Sequence, residues 1–138
     1  KPSTKQEMEL ILDQAMALIA YSREVAAVMP SVRSYNIILA CLVQRYHRME
    51  GKQGYENPYL ELGWRVMKSM GEVGIQPNDW GYRELLGLCS NGSQVGKVMD
   101  SMKKNGIRPS TETFNACLHA CGTDFPALKK WWYVYSQI

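Results

Sequence analysis

Val66-Met67-Lys68-Ser69-Met70 leads into Gly74-Ile75-Gln76-Pro77-Asn78, and thirty-two residues later Val98-Met99-Asp100-Ser101-Met102 leads into Gly106-Ile107-Arg108-Pro109-Ser110. Seven of the thirteen aligned positions are identical. In each block the spacing of Val and Met is helical. Each glycine supplies a left-handed stop, and each proline blocks continuation. A fixed period of this size marks stacked supersecondary units, each too small to bury its own apolar face.

Working outward, every other segment reads as helix or turn. Thr4-x-x-Glu7 is a capping-box pattern. Apolar residues follow it at helical spacing from Met8 to Met29, so one long helix over Lys5–Met29, or a helix pair with an unmarked turn, is expected. A second helix starts at Ser34-Tyr35-Asn36 and runs to about Arg48. The stretch Glu50–Pro58 is rich in Gly and polar residues and reads as an exposed loop. Further helices are expected over Tyr59–Met70, Trp80–Cys89 and Val95–Lys104, then from Thr113 to Cys121 and from Pro126 toward Ile138. Ser90-Asn91-Gly92-Ser93 and Gly122-Thr123-Asp124 are the turns between them. Lys103 and Lys104 favour the helix dipole in a last turn. No segment alternates with period two. The expected fold is therefore all-α: a right-handed α–α superhelix of antiparallel helix pairs. The divisions are 1–31, either a separate helical segment or a degenerate repeat, then 32–78, 79–110 and 111–138.

Composition bounds function. The hydrophobic fraction of 46% suits a globular domain, and a net charge of +3 is too small to mark a nucleic-acid binder by itself. The four cysteines, Cys41, Cys89, Cys117 and Cys121, form no C-x-x-C pair and sit in apolar surroundings, so they read as free thiols. Cys117 and Cys121 are four apart on one helix, but no second ligand pair accompanies them. His47 and His119 belong to no triad or metal pattern. Gly92-x-x-x-Gly96 reads as a turn plus a close helix contact. Charges at Asp13, Arg23 and Glu24 break the longest apolar stretch, so no membrane span is expected. No signal or transit peptide is legible, and the chain starts at Lys1 rather than Met, so that says little about targeting. No cofactor, metal, small-molecule substrate or catalytic constellation is expected.

These residues resemble the pentatricopeptide repeat family. Its unit opens with a Thr-Tyr-Asn-like tripeptide and closes with Met, Gly and Pro-Asp or Pro-Asn. The openings here are Ser34-Tyr35-Asn36, Gly81-Tyr82-Arg83 and Thr113-Phe114-Asn115. The closings are Met70…Gly74…Pro77-Asn78 and Met102…Gly106…Pro109-Ser110. The resemblance covers roughly Val32 to Ile138, with a first unit longer and a second shorter than the family's. It implies a module that binds single-stranded RNA on its concave face, in a chloroplast or mitochondrion, in RNA processing, stability or translation. It implies about one base per unit, read by the fifth and last residues and sandwiched by the second. Carried over, Asn36 and Asn78 read in the first unit, with Arg33 at the sandwich position. Arg83 and Ser110 follow in the second unit with Trp80, and Asn115 in the third with Glu112. Asn paired with Asn resembles the family's pyrimidine-preferring combination. Trp80 reads either as a stacking ring or as helix packing.

A protein-binding scaffold within a larger ribonucleoprotein or other assembly is the second reading. Its carriers are Trp131, Trp132 and Tyr135, which make the last helix apolar on more than one side. Such a helix is expected to be covered by further repeats or by another protein subunit. Magnitudes agree with a need for company. Stacking contributes ~1–3 kcal/mol per base, and association costs at least ~4 kcal/mol, so three units alone make a weak binder.

Overall fold

The computed structural model describes residues 4–24, 30–48 and 58–136, and among them every regular element is a helix. In chain order these are α1 (Thr4–Glu24), α2 (Val32–Arg48), α3 (Pro58–Glu72), α4 (Asp79–Gly87), α5 (Gly92–Lys104), α6 (Thr111–Cys121) and α7 (Phe125–Ser136). The fold is an α–α solenoid. The expected loop over Glu50–Pro58 lies outside the described residues except for Pro58, which is the first residue of α3. A proline suits that position because its missing N–H would have no intrahelical partner there. The end of the first expected helix, residues 25–29, also lies outside.

The duplicated sequence block builds the same corner twice. Gly74 has φ of 78° and Gly106 has φ of 71°, the left-handed region open to glycine. At the end of α3, Ile75 N–H donates to the Met70 carbonyl at 3.1 Å and Gly74 N–H to the Gly71 carbonyl at 3.0 Å. At the end of α5, Ile107 N–H donates to Met102 and Gly106 N–H to Lys103, both at 3.0 Å. This is the Schellman pattern, which satisfies carbonyls that the helix itself leaves open. Met70 and Met102 are fully buried, and Ile75 and Ile107 pack against the core beside them.

The turns from α4 to α5 and from α6 to α7 are shorter. Gly92 and Ser93, expected in a turn, are the first residues of α5. The reason is Asn91, whose side chain accepts the Gln94 N–H at 2.9 Å and caps the helix one residue before the glycine. Asp124 does the same for α7, accepting from Ala127 N–H at 3.1 Å.

Three hairpins result, α2 with α3, α4 with α5, and α6 with α7. Their first helices, α2, α4 and α6, form a closely packed row. Their second helices stand further apart, and α3 does not touch α5. Tyr82 fills that seam: it is fully buried, its hydroxyl lies 3.0 Å from Ser101 Oγ, and it accepts from Asn105 Nδ2 at 2.7 Å. A stack tight on one side and splayed on the other curves with the tight row inside. The helix α1 packs on α3 and α2, so it occupies the outer-row place before the first full pair.

Close approach is set by glycines. A Cβ on Gly92 would lie 2.4 Å from Asp124 Oδ2 and 2.6 Å from the Ala127 Cβ, whereas one on Gly96 would meet nothing within 4 Å. The close contact read from Gly92-x-x-x-Gly96 thus belongs to Gly92 alone. Gly92→Ala should destabilise the chain by about 1–3 kcal/mol through overpacking. Gly96→Ala should stabilise it by about 0.5–1 kcal/mol through helix propensity. Urea unfolding of the two variants checks both signs.

Candidate nucleic-acid interface

The inner row is joined at its helix starts by polar ties. Asn78 is the N-cap of α4, and its Oδ1 accepts the Gly81 N–H at 3.3 Å. The same oxygen accepts from Asn36 Nδ2 of α2 at 3.0 Å. Asn36 is completely buried, its own Oδ1 has no partner, and a Cβ on Gly81 would come within 2.8 Å of that oxygen. Ser110 is the N-cap of α6 and forms a reciprocal capping box with Thr113. Ser110 Oγ donates to Asp79 Oδ2 of α4 at 2.9 Å, and Thr113 Oγ1 donates to Asp79 Oδ1. Arg83 Nε lies 3.2 Å from Asp79 Oδ2, pairing with it along α4.

Asn36, Asn78, Arg83 and Ser110 therefore meet across the units, but the bonds they make are to the protein. The pair Asn36–Asn78 ties α2 to α4, and the group Asp79–Arg83–Ser110–Thr113 ties α4 to α6. Asn115 is exposed on α6, and Arg33 is exposed at the start of α2. Trp80 is half-buried, with its indole N–H donating to Glu84 Oε1 at 3.1 Å. Burial raises the Glu84 carboxyl above its ordinary range, opposed by that hydrogen bond and by the charge of Arg83.

The side chains that this face offers sit one position further along. Ile37, Glu84 and Ala116 each follow a residue read as base-contacting, and Ile37 is 49% exposed. The helical wheel of α2 does not by itself bury Asn36. Tyr35, Leu39, Leu42 and Tyr46 mark its buried stripe, and Asn36 lies beside that stripe, beyond Leu39. Residues Glu84 and Gly87, and Ala116, His119 and Ala120, continue one stripe on each neighbouring helix. That stripe leads to an open cavity of about 980 Å³ at the far ends of α2, α4 and α6, where Gly87, Ala116 and His119 join His47, Ser90 and Asp124. Exposed Arg33, Arg45 and Arg48 make α2 the basic edge of the row.

Among the described residues no group of three or more His, Cys, Asp or Glu could hold an ion. Cys89, Cys117 and Cys121 are buried, and burial pushes the first two thiols up to about 12. No described helix is long and apolar enough to cross a membrane.

The pentatricopeptide repeat domain matches residues 65–124, which is the span of the two duplicated corners and the helices between them. Over those residues the chain is similar to the pentatricopeptide repeat domain. A mitochondrial pentatricopeptide repeat-containing protein of Arabidopsis thaliana is 36% identical over 59 residues, which is 41% of this chain and 10% of that protein. The chain thus spans about a tenth of the curated relative that it matches. In this helical array, the last helix is two-sided. Trp131 is buried against the core, whereas Trp132 and Tyr133 are 62% and 65% exposed. The side chain of Tyr135 lies outside the described residues.

Thiol chemistry checks the buried core directly. Cys41 is exposed and should react promptly with Ellman's reagent in the folded chain. Cys89, Cys117 and Cys121 should react only on unfolding. Prompt reaction of a second thiol would contradict this packing.

Proposed function

We propose that this chain is a single-stranded RNA-binding module whose contact surface is the inner face of α2, α4 and α6. The observation that carries the proposal is the continuous row itself. Three adjacent helices, joined at their starts by polar ties through the N-caps Asn78 and Ser110, line one inner face. An extended strand with regularly spaced bases suits such a face. Within the units 32–78, 79–110 and 111–138, the contacts we assign are Arg33 and Ile37, Trp80 and Glu84, and Glu112 with Ala116. Asn115 stands at the edge of the third. Trp80 offers a ring to a base, and Glu84 an acceptor for an exocyclic amino group. Asn36, Asn78, Arg83 and Ser110 act by holding the row in register. An organellar site of action, in the mitochondrion or a chloroplast, is part of the proposal. The mitochondrial relative from Arabidopsis supports the former.

Anisotropy titration of labelled eight-nucleotide homopolymers tests the face. Binding should weaken with salt at a log–log slope of about −0.7 for each neutralised phosphate. Trp80→Ala should weaken it by about 1–3 kcal/mol while leaving the fold intact. Asn36→Ala should lower stability instead, because it removes the donor to Asn78. Equal RNA affinity for Trp80→Ala and the parent chain would overturn this assignment of the face.

A second reading rests on the outer end of the array. Phe125, Trp132 and Tyr133 expose a large apolar area on α7, and such areas usually mark contact surfaces. It makes the chain a docking scaffold for protein subunits of a larger assembly. Trp132→Glu should then raise solubility and reduce self-association of the isolated chain in sedimentation experiments. A parent chain that stays monomeric at high concentration would count against it.

A further inference from the structure

On the outer side of the array, a recess of about 430 Å³ opens along the seam between α5 and α7, closed at one end by the Gly106–Pro109 corner. Its floor is apolar. Trp131 is buried there beside Met99, and Ile107 and Pro109 form one wall. Its rim is cationic: Lys103, Arg108 and Lys130 are exposed, against the one carboxylate of Asp100. Lys130 Nζ lies 4.9 Å from the Trp131 ring centroid, so one ammonium already stands at the mouth. The side chains of Lys103 and Arg108 carry no ion pair or hydrogen bond among the described residues. The volume falls in the range of pockets that hold small ligands or single large side chains.

We propose that this recess binds an acidic protein segment, seating one large apolar side chain over Trp131 and placing flanking carboxylates on Lys103, Arg108 and Lys130. Charge complementarity selects that occupant. Lys103 and Arg108, which have no ion pair, and Lys130, which stands over the Trp131 ring, border one apolar hole, so a ligand that combines an apolar anchor with flanking negative charge suits it. A nucleic-acid strand fits less well, since its phosphates need cations along a track and these cations border a single recess. The recess also lies on the splayed outer side, away from the α2, α4 and α6 row. It is separate from the apolar surface of Leu118, Phe125, Leu128 and Trp132, so a helix pair stacked on that surface would leave it open. This site is independent of RNA binding on the inner face.

The test uses the full chain and a labelled heptapeptide with a central phenylalanine and three acidic residues on each side, read by anisotropy in low-salt buffer. The peptide should bind saturably. Replacing its phenylalanine with serine should weaken binding about tenfold, as should Arg108→Glu or Lys103→Glu in the protein. Both positions are exposed, so circular dichroism should show unchanged helix content, and RNA binding should stay within about twofold of the parent. Three results would overturn the proposal. One is equal affinity for the serine peptide, which would leave only diffuse charge attraction. Another is unchanged peptide affinity in both charge-reversal variants. The third is full displacement of the peptide by unlabelled single-stranded RNA, which would make the recess a nucleic-acid site.

Discussion

The architecture depends on how helix ends are closed. Each helix leaves backbone groups at both ends without intrahelical partners, and burying them unpaired costs about as much as a lost hydrogen bond each. Here one short segment solves both problems in sequence. Gly74 lets Ile75 return to the Met70 carbonyl, and four residues on Asn78 caps the next helix. Gly106, Ile107, Met102 and Ser110 repeat this at the following corner. Because the same cap side chains also bond the preceding inner helix, closing a helix end fixes where the neighbouring unit sits.

That economy explains why the inner row is tight. A cap bonded to the previous helix pulls successive first helices together, and small residues let them approach. Gly81 and Gly87 of α4 show the tolerance: a Cβ on the first would lie 2.8 Å from Asn36 Oδ1, and one on the second 3.2 Å from Val43 Cγ1, both on α2. The outer helices have no equivalent tie. Tyr82 instead reaches outward through the seam and bonds Ser101 and Asn105 near the end of α5. A polar hinge on the inside and an aromatic wedge on the outside together give the array its curvature.

The two faces so formed differ in chemistry. The inner face carries arginines along α2 and the half-buried Trp80 and Glu84 of α4. The outer seam between α5 and α7 gathers cations around one apolar hole. A repeat that is only a few helices long can thus offer a periodic surface to a periodic ligand and a single socket to a compact one. Both rest on the same corner residues, since Ile107 and Arg108 belong to the turn that also places Ser110.

The sequence by itself determined the elements. Gly and Pro at fixed intervals end helices whatever surrounds them, because φ above zero and a missing N–H are local properties. The duplicated Met…Gly-Ile-x-Pro block therefore disclosed the period, the helix pairs and the corner geometry. What it left open was the assignment of each polar side chain at a helix start. Asn36 and Ser110 have groups that suit a base edge as well as a backbone or carboxylate, and nothing local chooses between them. Only the tertiary structure decided. Stacking α4 on α2 buries Asn36 against Gly81 and delivers Asn78 to it, and stacking α6 on α4 brings Ser110 and Thr113 to Asp79. Those bonds join residues 31 to 42 positions apart, a separation that no local spacing rule encodes.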